Sequence, residues 1–297
     1  MLYFIVTLLI FSSMEVVSKP LMGHIDPFAL TFWRFVAGFV FFLFYPGMKK
    51  RFAEIAKFKK KEWISVITLG ILNTFLAMSL LQVAVKNCSV AATATIFCSN
   101  PVFVMLFSNL AGLEKLSIRK GIGIVAGVGA VAFILSENGF VINAGAVFAL
   151  LAAVVFAGYT VLSKKTVSKI TPFTVNLTSF FAGLIANLIF MAAADITIVP
   201  SLEPFDFFKV SALIYLGFIV TGVGYVTFFE TIKRLTAVSA SIIFMLKPAV
   251  AILFSALFLR EHLSGHFFIG LLMLTMATAV IFSDKIQILL KNALSSK

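Results

Sequence analysis

This chain has little charge and less of one sign than the other. Only 12% of its 297 residues are charged, and 12 acidic residues face 24 basic ones. A water-soluble domain of this size needs more polar surface. Cysteine is nearly missing. Cys88 and Cys98 are the only two; on one helix they stand about 15 Å apart along the axis, too far to bridge each other. A disulfide framework is excluded, and two lone thiols in apolar runs read as packing residues. The three histidines, His24, His262 and His266, fall in outer connections or at the very edge of a block, so no nucleophile–base pair forms at depth and an intramembrane enzyme is disfavoured. No Walker A sequence occurs, which removes ATP hydrolysis by that route. No polar insert is long enough to hold a soluble domain.

Apolar residues fill the space that these absences leave. They make up 61% of the chain, 35 of them phenylalanine, and the mean hydropathy is +1.09. They fall in ten blocks of roughly 20 residues, the length that crosses a bilayer as a helix: 3–22, 28–47, 63–85, 90–111, 119–136, 144–163, 173–194, 208–230, 238–259 and 266–284. The first block lacks a basic n-region and carries Glu15, so it reads as a helix and not as a signal peptide.

The net charge of +12 would point to nucleic acid in a soluble protein; here its placement points elsewhere. Eighteen basic residues follow the even-numbered blocks, including Lys49 to Lys61, Lys115 to Lys120, Lys164 to Lys169, Lys233 and Arg234. Four, Lys19, Lys86, Lys209 and Arg260, lie at the opposite ends of the blocks, on the other side. The positive-inside rule then places both termini in the cytoplasm of a multi-pass protein of the cytoplasmic membrane. Anionic lipid at the inner leaflet accounts for the basic bias without nucleic acid.

The second half repeats the first. Asn100-Pro101 and Glu114 recur as Lys247-Pro248 and Glu261, an offset of 147 residues, which Phe97/Phe244, Gly70/Gly217 and Thr74/Thr221 share. Nearer the N-terminus the offset is 145, with Ser18-Lys19 against Ser163-Lys164. Five spans per copy is an odd number, so the second copy enters from the opposite side. The expected fold is an all-α membrane protein with ten transmembrane helices as two inverted five-helix repeats, residues 1–137 and 138–297. Such a duplication suits alternating access to a site between the halves.

The fourth and ninth blocks carry small residues, a proline, an apolar run and then Glu-x-Leu, ending at Glu114-Lys115-Leu116 and Glu261-His262-Leu263. Together with Glu15-Val-Val-Ser-Lys19, Pro27 and Arg34, this pattern resembles the drug/metabolite transporter superfamily, EamA type. The resemblance implies ten helices in inverted repeats, a central cavity between the halves and, commonly, efflux of amino acids, nucleoside or sugar derivatives, or amphipathic drugs.

Charges inside hydrocarbon mark pathways or pairs. Lys247 and its counterpart Asn100 lie near the midplane. Pro248 cannot donate a helical hydrogen bond and loosens the helix there. Lys247 reads either as a substrate or coupling group or as half of a buried ion pair with Glu15. Glu15 reads either as a proton carrier or as a local i,i+4 partner of Lys19. Arg34 offers a planar fork for a carboxylate or phosphate; pairing with Glu15 is the alternative. Phe97 and Phe244 sit three residues before Asn100 and Lys247, on the same helical faces, and Tyr159 and Tyr225 can add hydroxyls. Glu230, with Lys233 and Arg234 after it, reads as an interfacial ion pair, and Glu114 and Glu261 as structural.

The expectation is a secondary active transporter exporting amino acids or related small metabolites; import, or transport of drugs or lipid-linked sugars, is the alternative. The candidate solute-binding residues are Lys247, Asn100, Arg34, Glu15, Phe97, Phe244, Tyr159 and Tyr225. No cofactor or metal is expected. The partners are a small-molecule substrate, the lipid bilayer and a coupled proton, in a monomer or homodimer.

Overall fold

The computed structural model describes residues 2–44, 48–88, 90–115, 118–136, 144–199, 207–259, 265–266, 268–277 and 280, and no strand occurs among them. Among the described residues, six helices are long and apolar enough to cross a membrane: α1 (Leu2–Gly23), α2 (Pro27–Phe44), α4 (Lys60–Asn87), α8 (Ala144–Val167), α9 (Pro172–Ala193) and α10 (Phe207–Arg234). Between them lie α3 (Met48–Ile55), α5 (Val90–Phe97), α6 (Asn100–Leu110) and α7 (Ile118–Ser136), and α11 (Ala237–Leu259) follows. The last described helix, α12 (Phe268–Ala277), is short and apolar. Arg260, Glu261, His262 and the basic residues from Lys285 onward lie outside the described residues.

The fourth apolar block is not one helix. It breaks at Cys98 and Ser99, and Asn100 and Pro101 start a new helix. Proline suits a first helical turn, where its missing N–H leaves nothing unsatisfied. The ninth block runs unbroken through Pro248. Two proline positions that are equivalent in sequence therefore differ in backbone. In the middle of α4 and of α10 the helix widens into π-helix, over Ile71–Ala77 and Tyr215–Val223, at matching places in the two halves. Such bulges concentrate at functional sites.

Each half packs across the other in the same manner. Helix α1 lies against α10 and α11, while α8 lies against α4, α5 and α6; α2 crosses α10, while α9 crosses α4. Glycines set both crossings. A Cβ on Gly70 would stand 2.1 Å from the Ser179 carbonyl oxygen, and one on Gly183 would stand 2.4 Å from Gly70 oxygen. At the other crossing, a Cβ on Gly217 would meet Ala37 Cβ at 2.3 Å and one on Gly38 would meet Thr221 Cγ2 at 2.6 Å. Membrane helices gain from such close backbone approach because lipid supplies no hydrophobic force between them. Gly70→Ala is therefore expected to destroy most of the monodisperse yield on size exclusion. Gly129→Ala, whose added Cβ meets nothing within 4 Å, keeps it; equal yields would remove the crossing from the argument. Gly127 of α7 faces inward too, against Met245 of α11.

Helix α3 is tied down by one carboxylate. Glu54 accepts from the Thr171 amide at 3.0 Å and the Thr171 hydroxyl at 2.7 Å, and also from the Thr174 hydroxyl. Anions are favoured at this helix N-terminus, the start of α9. Partial burial works against ionisation of Glu54. The hydrogen bonds from Thr174 and Thr171, with Arg51 nearby, outweigh it and hold the carboxyl below its ordinary value. A depressed carboxyl stabilises the contact above its unfolded pKa, about 4.3, and that contribution is lost as pH falls through the lower folded value. Exchange protection of the Thr171 amide should accordingly hold at neutral pH and fall below about pH 4. Protection that is flat across this range would refute the tether.

Candidate functional site

Three ionisable side chains are buried close together, Glu15 on α1, Arg34 on α2 and Lys247 on α11. Glu15 and Arg34 are fully inaccessible and Lys247 is 3% exposed. Glu15 Oε1 accepts from Lys247 Nζ in a buried ion pair joining α1 to α11. The i,i+4 pairing of Glu15 with Lys19 does not form. Lys19 turns away and donates to the carbonyls of Val85 and Cys88 at 2.6 and 2.7 Å. Nor does Arg34 take Glu15 as its hydrogen-bond acceptor. Its Nη1 donates to Met14 Sδ at 2.9 Å, its guanidinium lies 5.0 Å from the Phe35 ring centroid, and its Nε and Nη2 have no partner. Glu15 Oε2 is likewise without one. Of the two buried cations, only Lys247 engages the carboxylate.

Four phenylalanines close over the ion pair. Phe97 and Phe244 meet edge to face at 5.5 Å, Phe156 and Phe244 at 4.9 Å, Phe97 and Phe156 at 5.7 Å, and Phe11 stacks on Phe244 at 6.1 Å. Phe11 and Phe156 are repeat counterparts, as are Phe97 and Phe244. Lys247 Nζ lies 5.8 Å from the Phe97 centroid, within range of the ring's negative face. A void of about 10 Å³ remains among Met14, Met78, Leu81, Tyr225, Lys247 and these rings. This holds one water at most, so the site is closed. Apolar walls around a few polar groups are the usual make-up of a small-molecule pocket.

The expected residues divide by depth. Lys247, Phe97, Phe244 and Tyr225 line the void, and Glu15 reaches it through Lys247. Tyr225 donates to Asn73 Oδ1 at 3.0 Å, within the π-segment of α4. Arg34 stands behind Met14. Asn100 and Tyr159 do not line the void. Asn100 donates to the Ala153 carbonyl at 2.7 Å and keeps an unpartnered Oδ1, and Tyr159 packs behind Phe156 at 5.1 Å. Sequence reasoning missed Phe11, Met14, Met78, Leu81 and Phe156. The repeat offset and the spacing of Phe11 from Glu15, one helical turn, could have found the two phenylalanines; nothing local marks Met78 or Leu81.

Several other polar groups make contacts away from the void. Glu114 accepts from the Val238 amide at the start of α11, 3.2 Å, and pairs with Lys120 at 3.4 Å. Arg234 pairs with Glu230 at 3.1 Å, as its i,i+4 spacing leads one to expect, and lies over the Tyr3 ring. Cys88 and Cys98 are buried and form no disulfide with each other. Trp33 and Trp63 are partly exposed near helix ends, where membrane proteins place such rings. A separate cavity of about 590 Å³ lies between the start of α4 and the end of α8, lined by Lys61, Lys164, Lys165 and Lys169 with Leu162 and Ile170.

Comparison with known proteins agrees with this architecture. The family model of the EamA-like transporter family matches twice, over residues 1–136 and 143–283. An uncharacterized transporter of Clostridium kluyveri is 30% identical over 303 residues, covering 95% of this chain and 93% of that protein. The uncharacterized transporter YoaV of Bacillus subtilis is 26% identical over 220 residues, 73% of this chain and 74% of its own. A solved structure described only as a protein crystal structure superposes with a TM-score of 0.74 at 20% identity, covering 94% of both chains; at that identity the likeness speaks for the fold alone. A multi-pass helical membrane protein with a closed, charged, aromatic-walled site, matched by this family model in both halves, belongs to the EamA-like transporter family, a family of transporters and not of enzymes.

Proposed function

We propose that this protein is a secondary active transporter that exports amino acids or related small metabolites across the cytoplasmic membrane by alternating access. In this reading ten membrane helices form two inverted five-helix repeats, residues 1–137 and 138–297, with both termini in the cytoplasm. The observation that carries the reading is the charge balance of the site. Arg34 and Lys247 are buried with Glu15 as the one carboxylate of the trio, two guanidinium nitrogens lack acceptors, and aromatic rings wall the space. A solute with a carboxylate and an apolar body supplies what is missing there. The reciprocal helix packing, the two glycine crossings and the matched π-segments support the inverted repeat.

Glu15 is the proposed proton carrier: it is fully buried, and its ion pair with Lys247 joins two helices that alternating access would move. Purified protein in liposomes is expected to exchange labelled amino acids and to accumulate them against a pH gradient. Glu15→Gln should keep counterflow while losing pH-driven accumulation. Absence of any amino-acid flux would overturn the substrate assignment, and unchanged pH dependence in the variant would remove Glu15 from coupling.

A further inference from the structure

Lys19 and Lys164 are repeat counterparts, and each holds the end of another helix in the same way. Lys19 Nζ, on α1, donates to the carbonyls of Val85 and Cys88 at the C-terminus of α4. Lys164 Nζ, on α8, donates to the carbonyls of Ile232, Lys233 and Leu235 at the C-terminus of α10. Val85 and Ile232, and Cys88 and Leu235, are again 147 residues apart. Both ammonium groups satisfy carbonyls that a helix end leaves open, and both sit at the negative pole of a helix dipole.

The two clamps lie at opposite ends of the molecule. The first turn of α8 packs on the end of α4, since a Cβ on Gly145 would stand 2.6 Å from Cys88 Sγ. From Gly145 to Lys164 the helix rises about 28 Å. The aromatic cage lies between them: Lys19 is one turn beyond Glu15 on α1, and Lys164 about two turns beyond Phe156 on α8. The lysine-lined cavity of about 590 Å³ runs up to Lys164 and Leu162. Between that cavity and the cage stand Tyr159 and Ser163, both fully buried. The stretch of α8 between cage and cavity is thus buried up to the point where Lys164 ties α8 to α10.

We propose that Lys19 and Lys164 are matched latches, each closing the site toward one end of the molecule, and that opening one end requires its own lysine to release the helix it caps. Both latches are fastened in the present structure, and the cage is shut. This rests on the transport reading above. The latch makes a sided prediction that a merely structural cap does not, since a cap that only stabilised a helix would loosen the site without preference for either face.

The test uses a reporter, Leu81→Cys, in a chain with Cys88 and Cys98 replaced by serine. A membrane-impermeant thiol reagent is applied to right-side-out and to inverted vesicles. Lys19→Met is expected to raise labelling about tenfold from one face only, the population shift for losing a charge-assisted hydrogen bond. Lys164→Met should raise it by a similar factor from the opposite face. Lys19→Arg and Lys164→Arg, which keep charged donors, should label close to the parent. If a methionine variant fails to assemble, Lys19→Gln and Lys164→Gln give the same sided pattern at smaller amplitude. Labelling that rises equally from both faces, rises from the same face for both lysines, or stays at the parent level overturns the latches. Liposome flux of the unaltered protein, measured in parallel, separates a failure of the latches from a failure of the transport reading.

Discussion

Replacing Lys247 with alanine is expected to abolish solute flux and to lower stability by about 3–5 kcal/mol, the range for removing one partner of a buried ion pair. The cause lies in what is left behind. Glu15 is fully buried, and its ionised oxygen has Lys247 as its hydrogen-bond donor. Without that donor the carboxylate must take up a proton or draw in water, and either lets α1 and α11 separate. The double variant Glu15→Gln/Lys247→Met removes both charges at similar volume. It should recover most of the stability, since a buried ion pair is worth little against a packed neutral replacement, and it should still not transport. This double variant divides the structural role of the pair from its chemical one. Near-normal flux by Lys247→Ala, or by the double variant, would take Lys247 out of the site.

Arg34→Leu is expected to have the opposite profile. The guanidinium is fully buried with Nε and Nη2 unpartnered, so the folded protein carries a desolvation cost that its contacts with Met14 and Phe35 do not offset. Leucine removes that cost, and thermal stability should stay level or rise. Affinity for a carboxylate solute should fall at least about 10- to 100-fold, the scale for losing even one of the two hydrogen bonds that Nε and Nη2 can offer to a charged group. Arg34→Lys should not restore it, because an ammonium cannot present two parallel donors to a carboxylate. An ester or amide analogue of the same solute should bind both forms equally. Calorimetric titration reads all of these, and equal carboxylate affinity in parent and Arg34→Leu would show that the free nitrogens face away from the solute.

The two predictions draw on different physical terms. Lys247 is strongly partnered, so its removal strands a charge. Arg34 is under-partnered, so its removal relieves the protein and penalises the ligand. A site built from both kinds of group holds itself shut by one and recognises solute by the other. The latch lysines would then govern which end of the molecule reaches that site.

Much of this was open to a reading of composition and spacing alone. Apolar length and scarce charge dictate a helical membrane protein, because only a helix or a closed barrel can satisfy its backbone inside lipid. Glu15, Arg34 and Lys247 announce themselves, since an ionisable group in such a run is costly wherever it lies. Partner choice is another matter. Glu15 had Lys19 four residues away, the favoured helical spacing, yet it pairs with Lys247, 232 residues distant. Lys19 can reach the open carbonyls at the end of α4, a stronger demand than a side chain that already has a buried cation. Likewise Pro101 and Pro248 hold equivalent places, but one begins a helix and the other lies inside one. The aromatic cage, the π-segments and the lysine clamps arise where helices distant in sequence touch. Periodicity records which residues avoid water; only the packed fold settles which of them meet, because burial is a property of each residue and contact a property of the arrangement.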